Sequence, residues 1–364
     1  MPTFVPGLQL CEAFYVSAVK PILDADFPNL ENAAALVGAC SDVLGYDTPI
    51  STDHHWGPRV LLFLSEADYA TLRTPISEAL SAKLPYTVEG FSTNFGEPDE
   101  IGVRLMREIS SGPVNHMVEF HTVRAFIKDY LGVHPNDPIR AVDWLTFPEE
   151  KLLRVTGGKV FHDGSGELSR AREKFSYYPD DVWLYMLASQ WQKISQEEAF
   201  VGRCGDVGDE LGSRIIASRI VHQLMRLCFL MERTYAPYSK WFGTAFSRLM
   251  CAPMLSPVFV RIVSAESWHE RERHLSEAYR IVAEKHNALG ITEPLSTEVS
   301  NYHTRPYLVI HADRFVDAIK RRIQSEEVKG ITPMIGSVDQ FSDSTDLLDT
   351  PYPQLCRKLA VLYE

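Results

Sequence analysis

The sequence is short of everything that would tie it to a disulfide frame, a zinc knuckle or a membrane. Its six cysteines (Cys11, Cys40, Cys204, Cys228, Cys251 and Cys356) are scattered, with no C-x-x-C pair and several inside apolar stretches. Neither a disulfide scaffold nor a zinc site is indicated, and a reducing compartment is expected. The N-terminus lacks a basic region followed by an apolar one, and the longest apolar helical pattern is broken by Arg219, His222 and Arg226. The reading is therefore no signal peptide, no membrane span and a cytoplasmic location. Basic charge is also in deficit, with 36 Lys and Arg against 48 Asp and Glu and a formal net charge of −12. Such a field repels polyanions, which argues against nucleic acid as the main partner and for a small substrate, with room for a local basic pocket.

What is present is ordinary globular material. The hydrophobic share is 45% and the charged share 23%, and no internal repeat or low-complexity segment interrupts it. A chain of 364 residues suits two packed domains. Residues 8–25 read as an amphipathic helix bent at Pro21; residues 34–38 and 59–64 read as buried strands; residues 66–83 return to helical spacing with Tyr69, Leu72, Ile76 and Leu80 on one face. Residues 116–123 alternate and predict a third strand, followed by a short helix to Tyr130. From about residue 150 apolar side chains recur at three and four over residues 179–203, 208–234 and 267–288, with one late strand-like run at 307–310. The expected class is α+β: a mixed sheet with helices over residues 1–150, then an all-α domain over residues 151–364, with turns around Gly157-Gly158 and Asp163-Gly164.

The stretch with chemical content lies between the first two strands. Gly38-Ala39-Cys40-Ser41 offers small residues, backbone N–H groups and a hydroxyl to a phosphate. Asp53 follows twelve residues after Ser41, and alternation at the start of a strand beginning there would point residues 53 and 55 to one face. Two acids so placed would clamp a magnesium ion against a nucleoside triphosphate, yet position 55 is His55.

With its Gly-Ser-type loop and following acidic pair, this pattern resembles the DNA polymerase β-like nucleotidyltransferase superfamily. More closely, the chain is similar to a bacterial and fungal branch of that superfamily with no assigned substrate. The likeness runs through Trp56-Gly57-Pro58-Arg59, Tyr177-Tyr178-Pro179-Asp180-Asp181-Val182-Trp183, Gln196-Glu197-Glu198, Gly202-Arg203, Gly208-Asp209-Glu210-Leu211-Gly212, Tyr235-Ala236-Pro237-Tyr238-Ser239-Lys240-Trp241 and His286-Asn287-Ala288-Leu289-Gly290. The resemblance implies a nucleotidyltransferase domain followed by a helical, substrate-binding-like domain related to those of antibiotic nucleotidyltransferases. It also implies glycine where this chain has Cys40 and aspartate where it has His55.

The expected activity is transfer of a nucleoside monophosphate from a nucleoside triphosphate to a hydroxyl or amine of a small-molecule acceptor. The competing reading is a degenerate fold that binds nucleotide or a partner without turnover. The expected cofactor is Mg2+, with Mn2+ or another divalent ion admitted by an Asp53, His55 and Glu119 set. Glu119 is the candidate third acid, because Val118 and Phe120 would face the core and Met117, Glu119 and His121 the other side. Gly38, Cys40, Ser41, Arg59, Arg226 and Lys240 are candidate nucleotide-binding residues, and Glu197 or Glu198 a candidate general base. Arg219, Arg226 and Arg233, seven apart, form one stripe on a helix that reads as largely buried. Their partners are either ligand phosphates or protein carboxylates such as Asp181, Glu197, Glu198, Asp209 and Glu210.

Overall fold

The computed structural model describes residues 2–332 and 334–364, with every one of their side chains except that of Asp53. The architecture is the expected α+β: a mixed sheet with helices early in the chain, then a largely helical region. Two compact units divide the chain. The first takes residues up to Pro138, then Lys151–Ser176 and Pro351–Pro353; the second takes Ile139–Glu150, Tyr177–Thr350 and Gln354–Glu364.

The first unit carries β1 (Asn32–Leu36), β2 (Arg59–Leu64), a two-residue pair β3 (Thr87–Val88) and β4 (Phe91–Ser92), β5 (Met117–His121) and β6 (Lys159–Asp163). Four of these form one sheet in the order β5-β2-β1-β6. β1 runs antiparallel to both β2 and β6, while β2 and β5 are parallel with Leu61 opposite Glu119. Every residue of β2 is buried, which accounts for its unbroken apolar run. One face of the sheet packs Ala34, Leu62 and Val118 against Phe14, Val19, Ile76 and Leu80 from the flanking helices. Helix Glu66–Lys83 starts where Ser65 accepts a hydrogen bond from the Asp68 N–H, and its predicted face, Tyr69, Leu72, Ile76 and Leu80, lies on that core.

Two features of this unit depart from the sequence reading. The opening helix is interrupted by a π-helical turn, Tyr15–Val19, before helix Lys20–Asp26 resumes with Pro21 in its first turn, where a missing N–H costs least. The chain also does not cross once at residue 150: it enters the second unit at Ile139 and returns at Lys151 to place β6 beside β1. That strand has only five residues between Gly157-Gly158 and Gly164, a length and setting that read as turns.

The second unit contains helices Asp180–Glu197, Phe200–Asp206, Glu210–Met231, Ser239–Phe246, Ala252–Ser264, Trp268–Ala288 and Asp313–Lys320, with an antiparallel hairpin of β7 (Ser300–Tyr302) and β8 (Arg305–Val309). Asp209 caps the long helix Glu210–Met231 by accepting from the Gly212 N–H. Trp191 is fully buried and stacks on Phe315 at 4.2 Å between ring centroids. Among the described residues no helix is long and apolar enough to cross a membrane.

Candidate functional site

β1 ends in a loop whose backbone is unusual. Gly38 has φ 97° and Cys40 φ 99°, the left-handed half of the map in which a side chain is strained. Gly38 is required for a second reason: a Cβ there would lie 3.0 Å from the Tyr130 hydroxyl. The resemblance implies glycine at position 40, and the structure gives position 40 a glycine conformation although cysteine occupies it. Ala39 and Cys40 line a pocket of about 390 Å3, with Gly38 and the half-buried Ser41 flanking them.

The segment entering β2 corrects the expectation of a strand at Asp53. Pro49–Asp53 is a 3-10 turn, fixed at its start by Pro49 and by the Thr48 backbone N–H donating to the Ser51 hydroxyl at 3.1 Å. The strand begins only at Arg59, after Gly57 and Pro58. Gly57 has φ 144°, and a Cβ on it would meet the Met106 sulfur at 2.8 Å and Phe95 at 2.9 Å. Strand alternation therefore does not govern residues 53 and 55; the Asp53 side chain lies outside the described residues, and His55 adopts φ 51°.

His55 and Glu119 nevertheless line the same pocket, together with Arg59, Arg104, His116, His121 and Tyr130. The His55 Nδ1 is buried without a partner, and burial together with the Arg59 charge lowers the imidazole pKa, keeping it neutral. Glu119 approaches His121 Nε2 at 3.4 Å, and this hydrogen bond holds the Glu119 carboxyl below its ordinary value. Val118 and Phe120 pack on the core while Met117, Glu119 and His121 line the pocket.

Arg59 is buried and gripped by Asp42, its Nη2 donating to both carboxylate oxygens at 2.7 and 2.8 Å, while its Nε has no partner. Arg104, which no periodic pattern singled out, donates to the carbonyls of Gly96 and Asn115 at 3.1 and 3.3 Å and to the Met117 sulfur. His116 accepts from the Val118 N–H on Nδ1, which fixes its other nitrogen as a donor toward the Ser77 carbonyl at 3.2 Å. Tyr130 reaches the Ala39 backbone and carries Lys151 and Arg154 over its ring at 5.8 and 6.0 Å.

The wall thus presents two guanidiniums, three imidazoles and one carboxylate among its described side chains. Magnesium prefers several oxygen donors; of the two guanidiniums, Arg59 is neutralised by Asp42, and among the described side chains Arg104 has no carboxylate partner. Among the described residues no group of three His, Cys, Asp or Glu side chains is placed to hold a metal ion. Among the described lining side chains Glu119 is the one carboxylate; the Asp53 side chain lies outside them.

The remaining candidates lie in the second unit. Arg226 pairs with the buried Glu149 at 3.4 Å, Arg219 with Glu197 at 2.5 Å and Arg233 with Asp180 at 2.6 Å, so carboxylates partner the whole stripe. Arg226 is half-buried, whereas the Arg219 and Arg233 side chains remain 58% and 43% exposed. Glu197 is thereby engaged. Glu198 is buried and accepts backbone N–H groups from Ile310 and Ala312 at 3.0 and 3.2 Å, with its carboxyl pushed up to about 7 by burial. Lys240 is exposed and lies 5.0 Å from the centroid of the Trp241 ring.

Comparison with known proteins gives three results. No curated protein matches the chain. Among solved structures, a nucleotidyltransferase-like protein from Exiguobacterium sibiricum is 11% identical and aligns over 81% of this chain and 82% of that one, with a TM-score of 0.30. A family model described as "Domain of unknown function (DUF4037)" matches residues 144–242, a stretch that contains Glu197, Glu198, Arg226 and Lys240 and none of the residues lining the pocket around Glu119.

Proposed function

We propose that the protein is a nucleotidyltransferase, moving a nucleoside monophosphate from a triphosphate to a hydroxyl or amine of a small molecule, with residues 38–41 and the wall around Arg104 receiving the phosphates. The observation that carries this reading is the meeting of Cys40, His55 and Glu119, contributed by three separate segments, in one pocket. In that reaction the acceptor oxygen or nitrogen bonds to the α-phosphorus, the α–β phosphoanhydride bond breaks and pyrophosphate leaves. The Gly38 N–H donates to the Arg154 carbonyl at 2.8 Å, so the N–H groups of residues 39–41 are the proposed anion cradle, and Arg104 adds charge with no carboxylate partner among the described side chains. Glu119, ionised at neutral pH, is the carboxylate at hand to accept the acceptor's proton. The helical unit is the proposed holder of the acceptor.

A second reading, nucleotide binding without turnover, is favoured by one observation: Glu119 is the single carboxylate among the described lining side chains. One experiment separates the two. Binding of ATP, GTP, CTP and UTP is measured by calorimetry with and without Mg2+, and pyrophosphate release is then followed in the presence of a small-molecule metabolite extract. Release that disappears in Asp53→Ala and Glu119→Gln supports transfer; binding with no release supports the second reading. The absence of binding to all four nucleotides overturns both.

A further inference from the structure

A second cavity, of about 770 Å3, lies wholly within the helical unit, in the size range of small-molecule sites. Helices Asp180–Glu197 and Glu210–Met231 and the short helix Val338–Phe341 supply most of its wall. The first two run antiparallel there and are joined by two side-chain rungs: Gln190 to Gln223 at 2.6 Å and Arg219 to Glu197 at 2.5 Å. Lys193 lies between these rungs on its helix. Among the described residues it has no carboxylate partner and donates to the Gln340 carbonyl, and Arg214 likewise donates to a carbonyl, that of Glu266 at 3.0 Å.

The floor is rigid. The Gln340 amide donates to Met186 O at 3.0 Å and to Gln190 Oε1 at 2.9 Å, and Gln190 in turn donates to the Gln223 oxygen. Among the described residues the Gln223 amide nitrogen then has no protein partner on the cavity wall. The acids facing the cavity are few: Asp343 is exposed, and the half-buried Asp339 accepts from the backbone N–H of Glu149, whose carboxylate pairs with Arg226. Burial and the neighbouring Glu149 push the Asp339 carboxyl up to about 7, so this pair is short of negative charge at neutral pH. The His222 imidazole lines the same wall and is held down to about 4, first by desolvation and then by the Arg226 and Lys193 charges.

We propose that this cavity binds a small anionic molecule, its phosphate or carboxylate group held by Lys193 and the Gln223 amide, with Arg214 as the second available cation. A cation whose direct partner is a neutral carbonyl gains a charge-assisted hydrogen bond when an oxyanion arrives, and Gln223 gains an acceptor it lacks. In a molecule of net charge −12 this concentration of positive charge is a departure from the surroundings.

His222 is the reporter. Its ring is titrated by NMR in the full-length protein, the resonance being assigned by its loss in His222→Gln, first alone and then with inorganic phosphate or with citrate. A bound anion is expected to raise the His222 pKa by about one unit. The double variant Lys193→Gln, Arg214→Gln is expected to weaken that response about tenfold, whereas Arg104→Gln, which alters the other pocket, leaves it unchanged. A response to phosphate alone assigns a phosphate ester, and a response to citrate alone a carboxylate. No response to either anion, or an equal response in the double variant, overturns the proposal. Should the double variant not fold, crystals of the unaltered protein soaked in selenate decide: an anomalous peak within hydrogen-bond reach of Lys193 Nζ supports the site, and ordered selenate only elsewhere overturns it.

Discussion

Arg59 grips Asp42 through one guanidinium nitrogen that serves both carboxylate oxygens at 2.7 and 2.8 Å, and both side chains are withdrawn from solvent. The pair ties the first residue of β2 to the loop that follows β1, the two segments that shape the pocket. Removing one partner strands the other's charge. Asp42→Ala and Arg59→Ala are each expected to destabilise the protein by about 3–5 kcal/mol, and the double variant by less than their sum. Urea denaturation of the three variants measures this, and additive losses would count against a coupled pair.

Cys40 is strained where glycine would be free. Relief of a non-glycine residue at φ 99° is worth about 1–3 kcal/mol, against about 0.5–1 kcal/mol for the extra freedom glycine brings to the unfolded chain. Cys40→Gly is therefore expected to raise the unfolding free energy by about 1 kcal/mol, whereas Cys40→Ala, which keeps the Cβ, leaves the strain in place. Equal stabilities of the two variants would show that the backbone at this position carries no strain.

What the sequence could and could not announce follows from how each feature is made. β2 and helix Glu66–Lys83 were legible to the residue, because the apolar run of residues 60–64 and a periodic face are local signals. β6 was not, because its identity depends on pairing with a strand more than a hundred residues earlier and its flanking glycines imitate turns. In the pocket, Cys40 and Glu119 were legible from the loop motif and from strand alternation. Arg104 was hidden, since loop residues carry no period, and the grip of Asp42 on Arg59 depends on two segments meeting in three dimensions.

Asp339 on one side and His222 and His286 on the other pull the stability of the helical unit in opposite directions with pH. Asp339 has a folded value of about 7, above its ordinary 3.8, so its contribution is fully present below about pH 4 and is lost as pH rises through 7. His222 and His286, both held down to about 4, act the other way: their contribution is present above the ordinary histidine value and is lost as pH falls toward 4. The clean measurement is a difference. Asp339→Asn is expected to remove a loss of a few kcal/mol between pH 5 and pH 8, so the variant gains on the parent as pH rises. A difference in unfolding free energy that stays constant across that range would mean that Asp339 does not titrate within it.

Arg104 is the best single probe of phosphate binding in the first pocket. Its hydrogen bonds go to carbonyls and a sulfur, so no partner carboxylate is left stranded when it is replaced. Arg104→Gln is expected to weaken triphosphate binding about ten- to a hundredfold, the worth of one charge-assisted hydrogen bond, while the melting temperature changes little. Unchanged affinity in calorimetry would move the phosphates off this wall.

His55 decides between the two functional readings. Its backbone sits at φ 51°, a conformation aspartate tolerates, so His55→Asp is expected to fold without a backbone penalty. The substitution replaces a neutral imidazole by a carboxylate on the wall that already holds Glu119, giving a divalent ion two oxygen donors there. If the parent only binds nucleotide, His55→Asp is expected to gain Mg2+-dependent pyrophosphate release that the parent lacks, and Glu119→Gln in the same background to abolish it. If the parent already turns over, its rate is expected to depend on Mg2+ less steeply than that of His55→Asp, because the described wall offers the ion one carboxylate instead of two. Metal titrations of both proteins at fixed nucleotide concentration distinguish the cases. Identical Mg2+ profiles would mean that position 55 does not face the reacting phosphates.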